Sequence, residues 1–159
     1  MDWDAIVEDI GPKLYRYFRA RYSTEESSDL VQETLVRLVR KTNQGSFSSE
    51  RGTLRMYAFG IARFVALEAR KSPREQLAEE VAHDTSMEED FLRGQQTQAA
   101  RRALQQLPEI QKEILLLMID EEMSLQDISI LVDMPVGTVK SHVHRAKDLL
   151  REILAKEIL

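Results

Sequence analysis

Between Pro135 and Arg151 the chain sets Lys140, Ser141, His144, Arg145 and Lys147 among Val136, Val139, Val143, Ala146 and Leu150. The apolar set recurs at helical spacing, so the polar set falls on the other faces of the same helix. Those residue types suit base edges, because arginine reads guanine through two hydrogen bonds and lysine and serine reach groove acceptors. Thr138, Lys147 and the helix N-terminus suit phosphates instead. Pro135 stands at the helix start, and Gly137 is expected to keep the backbone beside the turn uncluttered. Upstream, Ser124-Leu125-Gln126-Asp127 has the form of a capping box and opens a shorter helix. A short helix, a tight turn and a longer helix make a helix-turn-helix, which places its second helix in the DNA major groove. An amphipathic surface helix without a ligand fits the same spacing.

Catalysis finds little support. His142 and His144 are two residues apart and point to different sides of a helix, and His83 stands alone in an acidic stretch, so no metal site is expected. No nucleophile pairs with a base, and no glycine-rich phosphate loop is present. The chain therefore does not read as an enzyme. No catalytic residue, metal or cofactor is assigned to it.

The totals run against nucleic acid at first sight, with a net charge of −5 over 159 residues. The distribution changes that reading. Residues 51–74 carry six bases against the single acid Glu68, residues 75–92 carry seven acids and no base, and residues 135–159 carry five bases and three acids. Phosphates respond to local charge, since screening acts over about 8–10 Å at physiological salt. Absence of cysteine excludes disulfides and fits a reducing compartment. With no signal-like N-terminus and no long apolar run, the expectation is a cytoplasmic protein without membrane insertion.

Beta signals are missing and helical periodicity dominates. A first helix over 2–21 lines up Ile6, Ile10, Leu14, Tyr17 and Phe18. A second starts at the capping box Ser23-Thr24-Glu25-Glu26 and runs to about Lys41, with Leu30, Val31, Leu35 and Leu38 inward. A polar loop, Thr42 to Gly52, precedes a third helix over 53–71, carrying Leu54, Tyr57, Ala58, Ile61, Phe64, Val65 and Leu67. Ser72-Pro73 ends it. The acidic stretch 75–92 has weak periodicity and reads as a linker. A helix over 87–106 stops before Pro108, and Ile110, Ile114, Leu115 and Leu117 to Ile119 make the next one buried nearly all round. The fold class is all-α: two small helical domains, residues 1–72 and 95–159, joined by the acidic linker 73–94.

Two segments carry a family resemblance. Leu107-Pro-Glu-Ile-Gln-Lys-Glu-Ile-Leu-Leu-Leu, with Ser124 to Leu150, resembles region 4 of bacterial sigma-70-type factors, especially the short extracytoplasmic-function (group IV) class. Asp29-Leu30-Val31-Gln32-Glu33-Thr34-Leu35-Val36-Arg37-Leu38 is similar to the region 2 helix that docks on the β′ clamp helices of RNA polymerase. Tyr57 to Phe64, continuing through Arg70-Lys71, is similar to the helix that melts and reads the −10 element. Together the matches span nearly all of the chain outside the linker.

The resemblance implies a dissociable specificity subunit that directs core RNA polymerase to promoter DNA. Polymerase binding falls on Asp29, Gln32, Glu33, Val36 and Arg37. The −10 element falls on Tyr57, Arg63, Phe64, Arg70 and Lys71. The −35 element falls on Thr138, Lys140, Ser141, His144, Arg145 and Lys147. Region 4 would also lie on the β flap, with Leu115 to Ile119 contributing, and an anti-sigma factor is an expected partner. Departures are present. Tyr57 stands where tryptophan is usual, Phe64 where asparagine is usual, His142 and Lys147 where arginines are usual. A phenyl ring stacks on a base but offers no amide hydrogen bond, so Phe64 either reads a different −10 sequence or belongs to the core. These departures also leave open a sigma-like interaction protein that binds polymerase or an anti-sigma factor without initiating transcription.

Overall fold

In the computed structural model, residues 1–69, 94–119 and 121–158 are described, and all of their regular elements are helical. They fall into two compact units, one on each side of residues 70–93. The first unit holds α1 (Trp3–Arg19), α2 (Thr24–Asn43) and α3 (Leu54–Ala69), with a short 3-10 turn at Ser49–Arg51. The second holds α4 (Gly94–Gln105), α5 (Glu109–Ile119), α6 (Leu125–Val132) and α7 (Val136–Ile158). Arg70, Lys71 and nearly all of the expected linker lie outside the described residues.

Capping chemistry sets the helix starts. The Asp2 carboxylate accepts from the Ala5 amide at 3.2 Å, Ser23 Oγ from Glu26 at 3.2 Å and Ser124 Oγ from Asp127 at 3.1 Å. Each satisfies an amide with no partner inside its helix. Thr53 does the same for α3 through Met56 at 3.1 Å. Pro12 sits inside α1, where its missing N–H leaves the Glu8 carbonyl without the usual donor. Gly11 relieves the accompanying crowding, because proline clashes with the Cβ of the residue before it and glycine has none.

The three helices of the first unit pack on one another around Ile10, Leu14, Tyr17, Phe18, Leu38, Phe59, Ile61 and Val65. The α1 stripe matches the sequence expectation, with Ile6 half-buried at its end. The α2 stripe is shifted. Its buried residues are Ser27, Thr34 and Leu38, while Leu30, Val31 and Leu35 are half-buried. The buried hydroxyls are satisfied locally, Thr34 donating to the Leu30 carbonyl at 2.8 Å and Ser27 to that of Tyr22 at 3.4 Å. In α3 Phe59 is buried at 1% exposure and Phe64 is exposed at 64%. Leu67 is exposed as well. Phe59 meets Tyr17 edge-on at 5.5 Å, a favoured aromatic geometry.

In the second unit α7 packs against α4, α5 and α6. Val139 and Ala146 are fully buried, Val143 is buried, and Val136 and Leu150 are half-buried, which follows the expected stripe. Helix α5 is buried from Gln111 to Leu117, polar residues included. Lys112 keeps its ammonium 3.5 Å from Glu109. Helix α7 runs seven residues beyond the expected end at Arg151, because no glycine or proline stops it and Ile153 and Leu154 remain half-buried.

Candidate functional site

The turn between α6 and α7 is made without glycine. Asp133 closes α6 in the left-handed conformation at φ 55°, and its amide donates to the Ser129 carbonyl. Aspartate tolerates this region better than most non-glycine residues. Ser129 also bonds Met134 on both sides of the turn, its hydroxyl donating to the Met134 carbonyl and its carbonyl accepting from the Met134 amide. Pro135 then caps α7, its carbonyl accepting from Thr138 at 2.9 Å and Val139 at 3.1 Å. Gly137 is therefore not a turn residue. It lies in the first turn of α7, and a Cβ there would meet nothing within 4 Å.

Thr138, Lys140, Ser141, His144, Arg145 and Lys147 are all exposed. With about 3.6 residues per turn, Lys140, Lys147 and Arg151 run along one edge of the outward face, Thr138 and Arg145 along the other, and Ser141 and His144 lie between. Ser141 returns its hydroxyl to the Gly137 carbonyl at 3.0 Å, and Arg151 pairs with Asp148 at 3.3 Å. His142 stands apart from this face. It is half-buried, and its Nδ1 is buried with no hydrogen-bond partner among the described residues. Leu115, Leu116 and Leu117 are core residues at 7% exposure or less, so of the apolar set expected to meet another protein only Met118, half-buried, and Ile119, 62% exposed, reach the surface.

In the first unit, Asp29, Gln32, Glu33 and Val36 are exposed on α2, with Val36 at 49%. Helical geometry places Asp29, Gln32 and Val36 opposite the buried Ser27, Thr34 and Leu38. Gln32 also edges a groove of about 490 Å³ between α1 and α2, lined by Gly11, Pro12, Tyr15, Arg16, Ser28 and Val31. Glu33 and Arg37 face the α3 side. Arg37 Nε donates to Glu33 at 2.8 Å, and its two Nη atoms donate to Glu68 at 3.2 and 2.7 Å. These bonds, Glu68 first and Glu33 second, hold the guanidinium protonated even more firmly than usual.

On α3 the outward side carries Tyr57, Arg63 and Phe64, of which Tyr57 and Arg63 are half-buried. Exposure of Phe64 removes the core alternative and leaves its ring free to stack. The sequence reading did not pick out Phe47, whose ring lies 5.5 Å from that of Tyr57 at a 42° tilt. A lone aromatic in an otherwise polar loop was the available signal. The loop is held by Gly45 at φ 82° and Gly52 at φ 141°, backbone regions costly for any side chain. Glu68 was missed too, since its partner Arg37 lies 31 positions away.

Comparison with known proteins follows this division. The family model described as Sigma-70 region 2 matches residues 6–76, and that described as Sigma-70, region 4 matches residues 97–150. The extracytoplasmic-function (ECF) RNA polymerase sigma factor SigE of Mycolicibacterium smegmatis is 28% identical over 97% of this chain, which spans 62% of that protein's length. The ECF RNA polymerase sigma factor SigW of Bacillus subtilis is 25% identical, over 94% of this chain and 87% of its own. A solved structure of the sigma factor RpoE from Bartonella quintana, in complex with the anti-sigma factor NepR, superposes with a TM-score of 0.73 at 27% identity, covering 97% of both chains. CnrH in complex with the cytosolic domain of CnrY shares the fold at a TM-score of 0.73 and 17% identity. The chain belongs to the sigma-70 family, in its extracytoplasmic-function branch.

Proposed function

We propose that this chain is a dissociable promoter-specificity subunit of RNA polymerase, acting in the cytoplasm and performing no bond-making chemistry. The observation that carries the reading is the pairing of two faces in one chain. One is the exposed basic face of a helix-turn-helix, and the other is an outward α2 face with Asp29, Gln32 and Val36 at its centre. A regulator that binds DNA alone has no use for the second. Residues 1–72 would bind core polymerase and the −10 element, 73–94 would connect, and 95–159 would read the −35 element.

On α2, Asp29, Gln32 and Val36 supply contacts to the β′ clamp helices, with Glu33 and Arg37 beside them. Tyr57, Arg63 and Phe64, followed by Arg70 and Lys71, take the −10 strand by stacking and phosphate contact. Thr138, Lys140, Ser141, His144, Arg145 and Lys147 take the −35 duplex, and Ile119 marks the side that meets the β flap. Among the described residues no helix is long and apolar enough to cross a membrane.

Transcription from a randomised promoter library with purified core polymerase tests the function. Transcripts sharing upstream motifs are expected, and none above the core-only level would refute it. The Asp29→Ala/Gln32→Ala double variant should bind core polymerase at least about tenfold more weakly, since hot-spot truncations typically cost about 2 kcal/mol or more. Fluorescence anisotropy with labelled protein measures this, and unchanged affinity would remove α2 from the interface. A second reading draws on the anti-sigma factor NepR seen with the structural relative RpoE. The chain would then bind such a factor or polymerase without initiating, and core binding without promoter opening would favour it.

A further inference from the structure

Arg37 joins two surfaces to which separate tasks are assigned. It lies on α2 next to Val36, and its guanidinium grips both carboxylate oxygens of Glu68 on α3 while Nε holds Glu33. This two-pronged contact fixes an orientation as well as a distance. Glu68 stands one helical turn beyond Phe64, on the α3 edge that also carries Tyr57. Stability gives no adequate reason for the arrangement. The side chains of Arg37, Glu33 and Glu68 are 27%, 51% and 51% exposed, and exposed ion pairs shift a folding equilibrium by about fivefold at most. Water screens the pairs in the free chain. A protein seated over Val36 would remove that water and strengthen them.

We propose that Arg37 is a positioning residue: through Glu68 it sets the α3 edge bearing Tyr57 and Phe64 against the polymerase-docking face of α2, and docking tightens this bridge. Its contribution to initiation is then made through α3 rather than by touching polymerase. The inference rests on the reading of α2 as the docking helix and α3 as the −10 helix.

The test uses the full chain with core polymerase and a cognate promoter, in the variants R37Q, E68Q, R37Q/E68Q and R37K, with D29A/Q32A as reference. Core affinity and −10 strand opening, followed by 2-aminopurine fluorescence, are measured separately. Core affinity should fall alike in all four bridge variants and by no more than about threefold, because a bridge that docking tightens favours docking in return. Opening should fall about tenfold in R37Q and in E68Q and no further in the double variant, the pattern of two groups acting as one. R37K should recover less than half of the loss, since an ammonium cannot grip two oxygens in a plane. Opening at parental levels in R37Q, with D29A/Q32A still defective in core binding, overturns the bridge and leaves the docking face standing. Core binding weakened more by R37Q than by E68Q overturns it in favour of direct contact. Parental core affinity in D29A/Q32A removes the docking face and this inference with it.

Discussion

Phe18→Ala is expected to destabilise the first unit by about 3–5 kcal/mol, the usual cost of removing a buried phenyl ring. The ring is fully buried and meets Tyr17 at 5.3 Å and Tyr22 at 6.4 Å, both edge-on, so the cavity is bounded by large aromatic neighbours that cannot collapse into it. A unit of this size holds only about 4–10 kcal/mol in total, at roughly 0.05–0.15 kcal/mol per residue. The substitution therefore consumes most of the margin. All four tyrosines and the tryptophan fall at residues 3–57, so near-ultraviolet circular dichroism in urea follows this unit alone. The variant should lose its folded baseline there, while the far-ultraviolet signal keeps a transition from α4 to α7. A loss below about 1 kcal/mol would mean that the Phe18 site repacks more readily than its full burial indicates.

Arg145→Ala is expected to lower −35-dependent initiation by about 5- to 150-fold, the span of one good base-edge contact. Arg145 is exposed on α7, so its removal should leave the melting of the second unit unchanged. The discriminating measurement is transcription from promoters varied base by base in the −35 element. Loss of preference at one position identifies base reading. A uniform loss across all sequences identifies a phosphate contact, and no loss at all would take Arg145 out of the interface. Lys147→Ala provides the contrast, since a phosphate contact should weaken every promoter alike and reduce the salt dependence.

Much of this was legible from spacing alone. Ile10, Leu14, Tyr17 and Phe18 recur at helical intervals in an otherwise polar segment, so their burial could be read directly. The α7 stripe was equally clear, because Val139, Val143 and Ala146 alternate with charged residues. In α3 the signal failed for a physical reason. Met56, Tyr57, Phe59, Ile61, Phe64 and Leu67, with Ala58, Ala62, Val65 and Ala66, make the helix apolar on every side, and periodicity cannot choose among them. The packing of Phe59 on Tyr17 decides the matter, and that contact spans the two helices. The turn before α7 carries no glycine to mark its left-handed residue, because Asp133 adopts that backbone here. The Arg37 to Glu68 bridge is wholly tertiary and had no local signature.

Pro12 has a consequence for how the first helix opens. The hydrogen-bond ladder of α1 is interrupted at that residue, and the buried side chains are unevenly divided around it, with Ile10 before and Leu14, Tyr17 and Phe18 after. Local opening follows the least-anchored backbone. Amides before the proline should therefore exchange with deuterium well ahead of those at Leu14 to Phe18. The N-terminal turns of α1 then form a separate opening unit that can loosen while the three-helix core stays closed.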